Sequence, residues 1–416
     1  MEKPPLPPER PSTPSFVRPF LHTLNRLQER ETLRPAQLTD RAQALLVEHF
    51  GPSERPAEAA FAHGSLSLIG EHTHYFDGFA LMLPMRRGMA VAVRAATGGA
   101  SRVALEGGPP WTFEPAAPSG TEASRGAPPA AARVVEALVR EMAPEGVAIE
   151  AVLVGTVPEG CEEAYLSAVG MAAARALQAL FARPDDDVSL LRMVRAHLVA
   201  CAGRPVSMAY LQAANDAHPD AFILTDTHTL EHLPLEAPPR EKLGWGLLDP
   251  GVPAPVDAAF YRRRQKRVGT ALTLLQRKGF PHLTSFRDLE HPDLQRALEA
   301  LPRRYRPLVR YLVSENRHVH KLVFAIRKKD WQMFGALLLI SHACRRNDWG
   351  ITTPEADFIV DQVQAMTLEG LYGGCMSGRG GGVLVVGQPF TIPEAFERIQ
   401  DAFETRFERA LRAILL

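Results

Sequence analysis

The seven residues from Glu71 to Asp77 put two carboxylates, two imidazoles and a threonine hydroxyl on one short loop. The loop follows an apolar alternation, Leu66, Leu68 and Ile69, and a glycine, Gly70. A strand that ends this way is built to present polar groups to a ligand. Carboxylates accept, and imidazoles both donate and accept, so the set suits vicinal hydroxyls. Glu71, His72, His74 and Asp77 are therefore the candidate residues for holding a polar ligand. His72 and His74, two apart beside Glu71, also have the spacing of a metal pair. Such pairs are common by chance, and no metal site is expected. The plain alternative is a loop whose polar groups cap its own backbone.

Three further stretches carry chemistry. Val157 to Val169 reads VPEGCEEAYLSAV and leads into an Ala-rich helical pattern. A helix start carries partial positive charge and free N–H groups, so it can hold an anion. Here Pro158 and Gly160 are followed by Glu162 and Glu163, with Ser167 the small hydroxyl nearby. Cys201 to Met208 reads CAGRPVSM, and no acid lies between Cys201 and Asn215. Met376 to Val383, MSGRGGGV, is a Gly-rich turn in which Gly378, Arg379 and Gly380 could meet an anion.

The stretch GSLSLIGEHTHYFDG, 64 to 78, resembles the first signature of galactokinases, a family of GHMP small-molecule kinases, whose pattern is roughly GRVNLIGEHTDYNDG. The resemblance implies that Glu71 and His72 hold sugar hydroxyls. His74 stands where the family has Asp, and Ser65 where it has an arginine that positions the reacting groups. The second stretch resembles VPLGAGLSSSAAL, whose glycines and serines wrap the nucleotide phosphates. Glu162 to Leu166 replace that run, so two carboxylates face a triphosphate site; a like-charge pair about 4 Å apart costs about 4 kcal/mol at ε ≈ 20. The resemblance of CAGRPVSM to CGIMDQF puts Val206 at the catalytic Asp. MSGRGGGV resembles the third signature, MTGGGFGG. The segment 258–267, AAFYRRRQKR, resembles a YNxRR helix, with the family tyrosine falling at Ala259 or Phe260. From Glu315 and Asn316 to Asp357 the chain keeps the frame of a segment ending SHxSLRDDYEVSCPELD, and those residues read as packing rather than reacting groups.

These loops need elements to hold them. Residues 1–15 contain six prolines and read as a disordered leader. A helical pattern follows over 17–50 (Leu21, Leu24, Leu27, then Leu45, Leu46, Phe50). Strands are expected at Met85–Ala95, Ala148–Val157, Ala221–Asp226 and Val383–Val386. Helices are expected at Val134–Met142, Ala168–Leu180, Leu190–Ala202, 257–277, 305–327, 331–343, 355–367 and Pro393–Ile414. Residues 107–131 read as a surface loop. Strands early and helices late give an α+β class. The resemblance makes that the GHMP two-lobe fold: a mixed N-terminal sheet with helices over 16–250, and a helix-rich C-terminal lobe over an antiparallel sheet from 251 to 416.

The chain has 416 residues, 46% hydrophobic, with 47 basic and 47 acidic side chains. That balance gives no global field toward nucleic acid or acidic membrane. Four scattered cysteines and no apolar leader fit a cytoplasmic protein. Three functional readings stay open. The first is a galactokinase-like pseudokinase that binds a sugar or polyol without phosphorylating it, with no cofactor. The second is a working ATP-dependent sugar kinase with a rebuilt site using Mg-ATP, with Asp216, Asp226 or His74 as base and Arg204 or Arg379 as positive charge. The third is a regulatory subunit with a protein partner. The acidic pair at 162–163 is expected to cap its own helix and close the loop, with Tyr165 and Leu166 filling the space.

Overall fold

The computed structural model describes residues 34–114, 128–158, 161–216, 218, 220–239, 241–252, 256–378 and 381–416. The Pro-rich leader, Leu21, Leu24 and Leu27, and the site candidates Gly160, Arg379 and Gly380 lie outside the described residues.

The chain opens with helix α1 (Pro35–Phe50), then strands β1 (Ala57–Ile69), β2 (Phe79–Ala95), β3 (Ser101–Leu105) and β4 (Trp111–Phe113). Next come α2 (Ala130–Met142), β5 (Ile149–Gly155), α3 (Glu162–Leu180), α4 (Asp187–Ala202) and α5 (Met208–Asn215). Strands β6 (Ala221–Asp226), β7 (His232–Glu236) and β8 (Gly244–Asp249) follow. Helices α6 (Ala258–Arg277), α7 (Leu294–Ala300), α8 (Arg306–Lys328), α9 (Trp331–Cys344) and α10 (Pro354–Ala365) fill the second half. The chain closes with β9 (Leu371–Met376), β10 (Val383–Gly387), α11 (Thr391–Phe407) and β11 (Arg412–Leu415).

The first sheet runs β4-β3-β5-β2-β6-β7, with β1 along the other edge of β2. It is mixed, because β3 pairs with β5 in parallel while the other pairs are antiparallel. Period-two alternation assigns its faces. Ala90, Ala92, Val152 and Val154 pack against Leu38, Ala42, Leu45 and Leu46 of α1. Their neighbours Val91, Val93, Ala151 and Leu153 face the core that holds α2 and α3. Helix α3 is buried nearly all round, as its Ala-rich sequence allows.

The second sheet, β11-β8-β10-β9, is antiparallel. It separates two cores. Leu247, Leu384 and Val386 pack toward the N-terminal core, while Leu248, Val383 and Val385 pack toward the helical one. This α+β arrangement of two lobes is the one the sequence implies.

Several element boundaries differ from expectation. The C-terminal segment is not helical to Ile414: Glu408 turns left-handed (φ 54°) and ends α11. Strand β11 then sends Ala413 and Leu415 to one core and Ile414 and Leu416 to the other. Residues 107–131 hold strand β4 as well as loop. Helix α3 starts at Glu162 rather than Ala168. Strands β7 and β8 escape the sequence reading because prolines and glycines interrupt their alternation. Through β8, the second sheet takes a strand from before residue 251.

Candidate functional site

The loop from Gly70 to Phe79 follows β1, and α8 pins it. Gly70 has φ +87°, and a Cβ there would sit 2.1 Å from the Phe79 carbonyl oxygen, so only glycine fits the turn. The Gly70 N–H donates to Glu315 Oε1 at 3.1 Å, and Ser341 Oγ donates to the same oxygen at 2.6 Å. At the far end the Phe79 N–H donates to Asn316 Oδ1 at 3.1 Å. Thr73 closes the turn, its hydroxyl donating to the Gly70 carbonyl and its own carbonyl accepting from Phe76 and Gly78. Glu315 and Asn316 are thus positioning residues on one helical turn, as their packing role in the sequence suggests.

Glu71, His72 and His74 converge inside the molecule; their exposures are 2%, 2% and 7%. Tyr311 Oη donates to the Glu71 carbonyl at 2.6 Å, and Tyr210 Oη donates to Glu71 Oε2 at 3.3 Å. His72 has φ +65° and stacks on Trp349, ring centroids 5.9 Å apart and planes 16° apart. Its Nδ1 lies 3.0 Å from Tyr75 Oη. Burial, then the neighbouring His74 and the guanidinium groups of Arg345 and Arg204, hold His72 well below the usual histidine pKa. Burial also lowers His74, although Glu71 and Glu163 pull the other way. Both imidazoles are therefore neutral near pH 7. Burial raises the Tyr75 and Tyr210 hydroxyls well above their usual value. Among the described residues, His72 Nε2, Ser65 Oγ, Ser377 Oγ and Trp349 Nε1 are buried without a hydrogen-bond partner. Also among them, no group of three or more His, Cys, Asp or Glu residues is placed to hold a metal ion.

Arg345, wholly buried in the π-helical turn Arg345–Trp349, backs this cluster. It donates to the carbonyls of Met376 and Leu68 and lies 3.7 Å from Glu315. It therefore ties the β1 end, the β9 end and α8 together. His342 adds a second tie, accepting from the Met376 N–H at Nδ1 (3.3 Å) and meeting Asp357 at Nε2 (3.0 Å).

The acidic start of α3 meets this cluster from the side. Glu163 is 8% exposed, accepts from Arg204 Nη1 at 3.1 Å and accepts from the Ser207 N–H at 2.9 Å. Glu162 stands 3.6 Å from Arg204 on a more exposed side. Burial alone would raise the Glu163 carboxyl. The Arg204 charge, His74 and the Ser207 N–H outweigh it and hold the group below the usual carboxylate range. The expected self-cap is corrected for Glu163, which turns across to the loop before α5 instead. The N-cap residue, Cys161, makes no side-chain capping bond either. Arg204 offers a full charge there, whereas the helix end offers a fraction of one. Leu166 is buried and Tyr165 half-buried, and the space between Ser65, Glu162, Glu163, Tyr210, Ser377 and Gly378 is only about 10 Å³.

Other sequence candidates divide. Val206 is buried, with its carbonyl accepting from Arg195. Ser167 is buried within α3. Gly378 (φ +66°) lies against Tyr210. Asp77 stands apart: its side chain is 48% exposed and 3.4 Å from His228. Asp216 meets Gln212 and His232, and Asp226 makes a two-pronged pair with Arg287 at 2.8 and 2.7 Å. Neither aspartate reaches the cluster. On α6 the inward residue is Tyr261, not Ala259 or Phe260. It is buried, with its ring 5.9 Å from Tyr75 and 6.4 Å from His72. Arg204 was named only as a spare charge, Tyr210 and Trp349 not at all. The signal for Arg204 is a lone basic residue in an otherwise uncharged run, 201–215, that must enter the core.

Comparison with known proteins places this geometry. The galactokinase galactose-binding signature matches residues 45–95. The galactokinase of Thermotoga maritima is 25% identical over 355 residues, covering 83% of this chain and 94% of the relative. That of Streptomyces coelicolor is 27% identical over 351 residues, covering 82% and 87%. Lactococcus lactis galactokinase complexed with galactose superposes with a TM-score of 0.78 at 18% identity, over 91% of this chain and 97% of that one. The Methanococcus jannaschii mevalonate kinase shares the fold more distantly, with a TM-score of 0.57 at 10% identity and coverage of 87% and 98%. The signature spans the loop that α8 pins, the galactokinases align along most of their length, and the fold is the one that the GHMP kinase structures share.

Proposed function

We propose that this protein holds a sugar or polyol at Glu71, His72 and His74 and does not transfer phosphate to it. The buried Glu163–Arg204 pair carries this reading. It places a carboxylate, already bonded to Arg204 and Ser207, where the resemblance puts the nucleotide phosphates. A triphosphate would have to break that pair and face Glu162 as well. The described residues at this loop therefore fit MgATP poorly, and the reading needs no cofactor. Val206 supports it too, because a buried valine cannot orient a hydroxyl nucleophile. The sugar half rests on the unpartnered polar atoms beside Glu71, His72 and His74. A polyol both donates and accepts, and would satisfy such atoms.

A working sugar kinase is the second reading. The aligned relatives are named galactokinase, and Glu71 and His72 keep their places. In that case neutral, buried His74 is the candidate base, because Asp216 and Asp226 are engaged elsewhere. One experiment separates the two. The purified chain is incubated with MgATP and galactose while galactose 1-phosphate is measured, and galactose binding is followed by calorimetry. Sugar binding without product supports the first reading; product above a protein-free blank overturns it in favour of the kinase.

A further inference from the structure

A cavity of about 620 Å³ lies outside the buried cluster, between α4, the start of α5 and the β6–β7 turn. Its size is that of a small-molecule site, which is typically about 300–1,000 Å³. One wall is polar, with the guanidinium groups of Arg192 and Arg195 of α4 and the imidazole of His228 of the turn; the other is apolar, with Val199, Met208 and Leu230.

The cations are under-compensated. Arg195 is half-buried, and its Nε donates to the Val206 carbonyl at 2.9 Å. Among the described residues, neither Arg195 nor Arg192 has a carboxylate within salt-bridge distance, and the Asp186 carboxylate acts on Arg192 only from further away. The surroundings agree, since burial alone lowers the Arg195 pKa and no carboxylate raises it. Asp77 lies 3.4 Å from the His228 imidazole, and Asp226 accepts from the His228 backbone N–H at 2.9 Å. A half-buried guanidinium without a counter-charge costs free energy that an anion would recover.

We propose that this cavity is a second binding site, for a small organic anion: one phosphate or carboxylate head held by Arg192 and Arg195, and a compact apolar body against Val199, Met208 and Leu230. The arrangement is the usual one for ligand pockets, an apolar lining with a few convergent polar groups. It needs neither the sugar nor the phosphate loop, so it stands whether or not the chain is a kinase.

Calorimetry on the full chain tests it with phenyl phosphate, benzoate, inorganic phosphate and benzyl alcohol. At least one aryl anion should bind with a Kd of about 1 mM or tighter, and benzyl alcohol should bind at least about tenfold more weakly. Phenyl phosphate against benzoate distinguishes the two heads. Arg192→Glu, on an exposed face where folding is undisturbed, should weaken the binding by about tenfold or more. Arg195→Lys keeps the charge but loses the fork, and should weaken it less than Arg192→Glu. Failure of both aryl anions to bind overturns the site, as does unchanged affinity in Arg192→Glu. Inorganic phosphate binding as tightly as phenyl phosphate overturns the apolar half.

Discussion

Removing Arg204 should be far more damaging than removing an ordinary arginine. Its guanidinium is about 2% exposed and faces Glu163, itself 8% exposed, at 3.1 Å. Arg204→Met leaves a buried carboxylate whose remaining donor is the Ser207 N–H. Breaking a buried pair in this way costs about 3–5 kcal/mol, against about 0–1 for a surface pair. Glu163→Gln is the matched partner change, because an amide oxygen can still accept from Ser207. The double variant Glu163→Gln/Arg204→Met then leaves no buried charge, and should recover to within about 1–2 kcal/mol of the parent. Urea unfolding of the four proteins, followed by far-UV circular dichroism and tryptophan fluorescence, measures the cycle. The two probes also report whether the lobes unfold together. If Arg204→Met costs less than about 1 kcal/mol, or the double variant is as unstable as the sum of the singles, the pair is not coupled and the reasoning fails.

The remaining predictions concern phosphate, pH and the loop. Glu163→Ser removes the acid that faces the phosphate position and frees Arg204; MgATP binding by calorimetry should appear in this variant and be absent from the parent, and equal binding in both would refute the electrostatic block. His72, His74 and His342 all have lowered pKa values, mainly through burial. The unfolded chain therefore binds more protons than the native one below about pH 6.5, and stability should fall as pH drops, by up to about 1.4 kcal/mol per pH unit for each histidine. Urea midpoints across that range check this, and a flat profile that His74→Gln leaves unchanged would contradict it. Gly70→Ala forces a Cβ to 2.1 Å from the Phe79 oxygen at φ +87°, so it should cost at least about 1–3 kcal/mol and detach the loop from Glu315; near-parental stability would show that the turn has slack.

The frame of this protein was readable because it rests on periodicity and on one specific loop. Alternation over Met85–Ala95 and the pair Leu45 and Leu46 each follow from the side of an element that must be buried. Strand β11 was misread for the same reason in reverse. Its residues face a core on both sides, so no polar face marks the period. In the site, Glu71, His72 and His74 were legible as adjacent polar residues on one loop. Arg204, Tyr210, Tyr261, Tyr311 and Trp349 come from four other parts of the chain, and their convergence is a property of the packed lobes. Asp77 shows the converse: it shares the loop, but Arg287 binds its carbonyl and the β6–β7 turn draws its side chain outward.

The acidic start of α3 and the basic residue before Val206 make sense only together. Glu163 alone would be a buried carboxylate facing Glu71 and the tyrosines, and its charge would be forced off by raising its pKa. Arg204 alone would be a buried guanidinium, which cannot neutralise itself by losing a proton. Paired, with Ser207 adding a further bond, each offsets the other's penalty, and the pair ties the start of α3 to the segment before α5. The closure has a thermodynamic consequence. Any anion admitted beside α3 must first separate charges that stabilise each other by a few kcal/mol, and a few kcal/mol is a factor of about a hundred or more in affinity. A neutral polyol at Glu71, His72 and His74 competes with no such pair. On the proposed reading the geometry discriminates between the two ligands of a sugar kinase: a phosphate beside α3 meets the Glu163–Arg204 pair, whereas a polyol would meet the unpartnered Nε2 of His72.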